Sequence, residues 1–333
     1  MQASAISCHT LLHVDPKREV DRIAGAIGDL VLGQFKKKGA VVGLSGGIDS
    51  SVVAALCARA LGPEHVLALF MPEAESSPDS LLLGRRVADS LGIRTETVDI
   101  TPILDAFGCY QKRDDSVRLV VPAYGSGYKC KITLPDLLSQ DRYAIFSVVV
   151  QSPSGEMRTV RLTLDSYLGI VAASNLKQRT RKTVEYYHAD RLNFAVAGTP
   201  NRLEYELGFF VKGGDGAADF KPIAHLYKSQ VYLLADYLNI PEEIRRRRPT
   251  TDTYSLEQSQ EEFYFSMPLD KMDLCLYGRD NSVAPGELAP HVNMTIEQVR
   301  RAYLMIDRKR SVARYLHASP VVFQFPSESP AAS

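Results

Sequence analysis

The residues richest in chemistry are six in a row, Ser45-Gly46-Gly47-Ile48-Asp49-Ser50. Adjacent glycines let backbone amides approach a ligand closely, and the serines add hydroxyl donors. Such amides, with the positive end of a following helix, bind phosphate oxygens. The loop is not of the G-x-x-x-x-G-K-[ST] type, because its lysine is absent. Asp49 stands in that place. An acid beside phosphates requires a cation between them, so Asp49 is a natural Mg2+ ligand. A Ser/Gly turn that merely caps a helix is the plain alternative. The strand before the loop and the helix after it favour phosphate binding.

Those flanking elements can be read from the pattern. Ala40 to Leu44 is an apolar run suited to a strand buried on both faces. Val52 to Leu61 reads as a helix stopped by Gly62-Pro63. Val66 to Phe70 is a second buried strand, Ser80 to Leu91 a helix, and Arg94 to Ile100 a third strand. A helix over 15–35 precedes them, with Asp15-Pro16 as its start signal. The βαβαβ order predicts an α/β fold, a doubly wound parallel sheet flanked by helices. Further strands near 192–197 and 220–223 and helices at 167–187 and 228–238 extend it. Residues 112–165 break this rhythm with strand-like runs at Val117–Val121, Tyr128–Leu134, Tyr143–Gln151 and Met157–Leu164, and read as a β-rich insertion. The Pro/Ser/Ala-rich tail at 326–333 reads as disordered.

Composition narrows the classes. Lys plus Arg and Asp plus Glu are 39 each, so no basic excess supports a nucleic-acid partner. No apolar run nears the ~18 residues of a membrane span. Five cysteines without a C-x-x-C pair suggest neither zinc nor disulfides, and a cytoplasmic location follows. His225 reads as a satisfied polar contact, and Arg245 to Arg248 as a solvated helix end rather than a phosphate patch.

The loop resembles that of the N-type ATP pyrophosphatases, which split ATP between the α- and β-phosphates. Later segments resemble one branch of them, the NAD synthases. Asn175 to Arg181 is similar to N-x-K-A-R-x-R, and Gly198 to Glu204 to G-T-x-x-x-x-E. Gly208 to Asp219 resembles G-F-F-T-K-Y-G-D-G-G-A-D. Pro222-Ile223 and Leu226 to Gln230 follow at the family's spacing. Pro249 to Asp252 is similar to P-T-A-D, and Arg308-Lys309-Arg310 sits where the family has H-K-R. The resemblance covers about 15–110 and 166–325, within one domain of 1–325.

The resemblance implies an ammonia-dependent enzyme that amidates nicotinic acid adenine dinucleotide through an acyl-adenylate. ATP is the co-substrate and Mg2+ the cofactor. Gly43, Leu44, Ser45, Gly46, Gly47, Ile48, Asp49 and Ser50 would line the ATP phosphates, with Thr199, Lys228 and Thr250 also on ATP. Asp49 and Glu204 would hold Mg2+. Arg179, Lys212, Asp219, Arg308 and Lys309 would contact the dinucleotide, and Asp49, Lys228 and Lys212 would act in catalysis. A homodimer is implied, with free ammonia or a separate glutaminase as nitrogen source, since no nitrilase or glutaminase domain is recognisable. Val211 and Arg308 depart from the family's Thr and His. The 112–165 segment is longer than the family's connection, as a lid, an oligomer contact or a partner contact would be. The same chemistry on another carboxylate, and a tRNA-modifying pyrophosphatase, are the competing readings.

Overall fold

The computed structural model describes residues 12–134, 146–247, 249–250 and 254–323. The tail assigned to 326–333, and Thr251 and Asp252 of the P-T-A-D-like stretch, lie outside them. β1 (Ala40–Gly43), β2 (Val66–Phe70), β3 (Arg94–Thr97) and β7 (Ala195–Ala197) form a parallel sheet in the order β3-β2-β1-β7. Its central strands are apolar because both faces are covered. Ala40 and Val42 pack with α1 (Pro16–Gly28), α2 (Ile48–Leu61) and α8 (Lys228–Tyr237). Val41, pointing the other way, meets Ala189 of the 29-residue α6 (Leu164–Leu192). Burying a side chain such as Leu56, which has no exposed surface, stabilises the fold by roughly 1.5–3 kcal/mol.

Short signals set the boundaries. Asp15 caps α1 by accepting from the amides of Lys17 and Arg18 at 3.0 and 3.2 Å, with Pro16 in the first turn. Asn193 ends α6 in the left-handed conformation at φ 55°. The strand expected over 220–223 reduces to a single bridge between Phe220 and Ala197.

The 112–165 segment needs a correction. Its first part is helical: α5 (Cys109–Arg118) follows α3 (Pro78–Leu91) and the short α4 (Thr101–Ala106). Val117–Val121 is therefore not a strand. Val117 is buried in the cluster that includes Ile170 of α6, and the Arg118 Nε donates to the Tyr124 carbonyl at 2.7 Å. The β-rich part is a separate antiparallel sheet, β4 (Lys129–Thr133), β5 (Ser147–Gln151) and β6 (Met157–Arg161), in that order. After the short α9 (Glu242–Arg246), the last helices, α10 (Leu269–Asp280), α11 (Pro285–Val292) and α12 (Ile296–His317), build a second apolar cluster with Leu203, Leu207 and Phe265. Among the described residues no helix is long and apolar enough to cross a membrane. Cys57, Cys109, Cys130 and Cys275 are buried and free.

Candidate active site

The Gly-rich loop joins β1 to α2 at the carboxyl edge of the parallel sheet. Gly46 turns the chain at φ 75°, and a Cβ there would overlap the Ser80 carbonyl oxygen at the start of α3. Gly47 precedes α2, and no side chain caps that helix's first amides. The loop's own hydroxyls brace the turn instead. Ser50 and Ser51 Oγ donate to the Gly47 carbonyl at 3.0 and 2.8 Å, and the Gly47 amide donates to Ser45 Oγ at 3.3 Å. Uncapped amides at a helix start suit an anion. Gly46→Ala should cost about 1–2 kcal/mol from its left-handed backbone alone and also weaken ATP binding, which thermal melts with and without ATP will register.

Two acids face this loop. Asp49, in the first turn of α2, accepts from Lys228 Nζ and, at 3.1 Å, from Asn201 Nδ2. Asn201 starts α7 (Arg202–Leu207) in a capping box. Its Oδ1 accepts from the Glu204 amide at 3.2 Å, and its own amide donates to Glu204 Oε2 at 3.1 Å. Glu204 Oε1 takes a third bond, from Gln260 Nε2 at 2.9 Å. Burial, then the Asp49 charge, push the Glu204 carboxyl up to about 8. Lys228 starts α8, where its amide and that of Ser229 donate to Asp273 at 3.1 and 2.8 Å. Burial opposes its charge, but Asp49 and Glu204 outweigh burial and raise its pKa.

A pH dependence follows. Between the ordinary 4.5 and about 8, the folded chain keeps a proton on Glu204 that the unfolded chain has released. Stability of the metal-free protein should therefore fall as pH rises through that window, by up to about 1.4 kcal/mol per pH unit. Denaturant midpoints at several pH values should show this slope, and Glu204→Gln should flatten it.

Mg2+ fits this pair. Asn201 bonds both Asp49 and Glu204, so two hard oxygen donors stand together beside the loop, as a divalent cation requires. Among the described residues no three His, Cys, Asp or Glu side chains converge as a metal centre. A hard ion on Asp49 and Glu204 would complete its shell with phosphate oxygens and water.

Gly43 to Ser50, Thr199, Glu204, Lys228 and Thr250 all line one cavity of about 640 Å3. The remaining expected residues do not. Arg179 Nε donates to the Lys212 carbonyl at 3.3 Å. Lys212 Nζ donates to the Tyr315 and Ala318 carbonyls at 2.9 and 3.0 Å, at the end of α12. Asp219 accepts from the Val196 amide at 2.7 Å and from the Tyr186 hydroxyl at 3.2 Å. Arg308 is exposed. Lys309 Nζ lies 3.3 Å from the centre of the Tyr264 ring, and burial pushes its pKa down to about 7. Tyr186 and Gly213 border a second depression of about 450 Å3, and the Tyr186 hydroxyl links Asp219 to it.

Several cavity residues escaped the sequence reading. Arg181, Lys182 and Glu185 line it from α6, with Lys182 Nζ 2.5 Å from Glu185 Oε2. Asp215 lines it from the Gly208–Asp219 stretch and accepts from the Val211 amide at 2.7 Å. Arg247 lines it too, whereas Arg245 and Arg246 pair with Asp236 and Glu242 of their own surface. So the basic run is not wholly a solvated helix end; Arg248 lies outside the described residues. Arg181 and Asp215 do lie in the quoted Asn175–Arg181 and Gly208–Asp219 segments, whereas for Lys182 and Glu185 the signal is their spacing, one helical turn apart. His225, by contrast, makes the expected polar contact, with Glu19 at 2.7 Å.

A parallel sheet with a glycine turn and facing acids at its carboxyl edge defines an α/β protein with a phosphate-binding loop. Within that class the chain belongs to the NAD synthase family, whose profile matches residues 20–121 and 153–313. The chain is 58% identical over 313 residues to the NH(3)-dependent NAD(+) synthetase of Rhizobium meliloti, covering 94% of this chain and 93% of that one. Its counterpart in Rhizobium rhizogenes is 54% identical over 329 residues, covering 97% and 99%. Two solved structures share the fold. One is an NH3-dependent NAD synthetase from Campylobacter jejuni in complex with nitrate, with TM-score 0.61, 24% identity, and 93% and 100% coverage. The other is NMN synthetase from Francisella tularensis, with TM-score 0.65, 22% identity, and 94% and 100% coverage.

Proposed function

We propose that this chain amidates nicotinic acid adenine dinucleotide to NAD with ATP and ammonia. The observation that carries this is the single cavity where the loop amides, Asp49, Glu204 and Lys228 meet. A pyridine carboxylate oxygen attacks the α-phosphorus of ATP, and the bond to the β-phosphate oxygen breaks. Pyrophosphate leaves into the amides of Gly46 to Ser50. Ammonia then attacks the acyl carbon; AMP departs, and a proton is lost from nitrogen. Mg2+ on Asp49 and Glu204 would neutralise phosphate charge during the first step. Lys228, held by Asp49, adds a fixed cation in a site shielded from water. The related Rhizobium meliloti protein, named for ammonia-dependent NAD synthesis, supports this substrate choice.

The depression beside Tyr186 and Gly213 would take the far end of the dinucleotide, which Asp219 reaches through Tyr186, and Arg179 and Lys212 would contact it as well. Lys212 contributes by holding the end of α12, and Arg308 and Lys309 close from the same helix. The 129–161 sheet is an addition to a single domain. The enzyme works as a cytoplasmic homodimer on free ammonia, or on ammonia from a separate glutaminase.

The test is an assay of NAD, AMP and pyrophosphate with the dinucleotide, ATP, Mg2+ and ammonium. Equal yields of the three products are expected. AMP release with another carboxylate, and none with the dinucleotide, would overturn the substrate assignment in favour of the same chemistry elsewhere.

A further inference from the structure

The family profile stops at residue 121 and resumes at 153, and β4 and β5 both lie in that interval. β4 is an edge strand, and unpaired edges are normally covered. Here the chain over 255–262 covers it. The Leu256 amide donates to the Cys130 carbonyl at 3.2 Å, and the Cys130 amide to Ser255 Oγ at 2.9 Å. The Leu134 amide donates to the Glu262 carbonyl at 3.4 Å. The Gln258 side-chain amide donates to the Ile132 carbonyl. Lys131 Nζ lies 2.7 Å from Glu262 Oε1 and donates to the Glu257 carbonyl at 3.2 Å. Tyr254 is buried in the apolar cluster of Cys130, Ile132 and Val148.

The covering segment reaches the acids. Gln260 donates to Glu204 Oε1 at 2.9 Å, and its own amide donates to the Pro249 carbonyl at 3.2 Å. Thr250 and Ser259 form an antiparallel bridge, so both ends of this stretch are drawn together at the cavity wall. Tyr254, Gln260 and Phe263 line that wall. A side chain that fixes one oxygen of Glu204 also fixes where the other lone pairs point.

We propose that β4 acts as a strap for the active site: by pairing with residues 255–262 it holds Gln260 against Glu204, and so sets the affinity of the site for Mg-ATP. Gln260 is thus a positioning residue, and Lys131–Glu262 is the outermost tie. The inference rests on Glu204 serving the metal, as in the function proposed above.

The test measures ATP binding to the full chain by calorimetry, without the pyridine substrate, in MgCl2 or in EDTA. Amide hydrogen exchange over 254–265 is followed in parallel. Lys131→Glu places two like charges together, and should weaken Mg-ATP binding about fivefold and speed exchange. Adding Glu262→Lys restores the pair with the charges swapped, and should bring binding back to within about twofold. Gln260→Leu should weaken Mg-ATP binding at least as much while exchange over 254–258 stays slow. In EDTA all four proteins should bind ATP alike. The strap is refuted if Lys131→Glu melts normally and binds Mg-ATP within about twofold of the parent, or if the swap fails to restore binding. A parent protein that binds Mg-ATP but makes no NAD would refute the function proposed above and leave the strap standing.

Discussion

Asp49→Asn should lower NAD formation at least about a thousandfold, the scale of removing a group that stabilises transferring charge. The substitution is nearly isosteric, and its Oδ1 can still accept from Asn201 Nδ2. What disappears is the negative charge that pairs Lys228 and would hold Mg2+. Lys228 has 3% of its side chain exposed, so the stranded ammonium should also destabilise the fold by about 3–5 kcal/mol. The two effects can be separated. Asp49→Asn with Lys228→Met removes both charges, and should recover much of the melting temperature but none of the activity. If Asp49→Asn alone left turnover unchanged, the metal role given to Asp49 would be wrong.

The second large effect lies behind the site. Lys177 Nζ sits 3.0 Å from Glu73 and 2.7 Å from Glu75, with only 2% of the Lys177 side chain and 1% of the Glu73 side chain exposed. The Tyr110 hydroxyl donates to the other Glu73 oxygen at 2.6 Å, and Arg113 pairs with Glu75. The loop that carries these acids also lines the cavity through Met71, Pro72, Ser76 and Ser77. Lys177→Met leaves buried carboxylates without their ammonium, which costs about 3–5 kcal/mol. The melting temperature should drop by roughly 5–10 °C, and ATP should bind about tenfold more weakly as the loop loses its anchor. Calorimetry can read both. An unchanged melting temperature would mean that the pair does not hold the loop.

The contrast between these two sites explains what the sequence could reveal. Asp49 was legible because its neighbours are local: a buried strand, a glycine turn and a helix follow one another between Ala40 and Leu61. The β-α alternation gave the parallel sheet for the same reason. Lys177 was recognisable only as part of a motif, because its partners are about a hundred residues away. A charge buried on α6 breaks the apolar stripe by which a helix is oriented, so periodicity could not say which way Lys177, Lys182 or Glu185 faces. Val117–Val121 misled in the opposite sense. Its β-branched residues suit a strand, but packing on α6 makes it a helix end and turn. Arg179, Lys212, Asp219 and Lys309 were named by resemblance alone, and contacts with residues distant in sequence hold them outside the main cavity.

Asn201 joins folding to ligand binding. Its three polar groups start α7 and also space the two acids. Heat that frays this first turn would scatter the carboxylates, and a bound metal-nucleotide would resist the fraying. The ligand would therefore work as a thermal lock, closing the same turn that the chain itself uses to begin a helix.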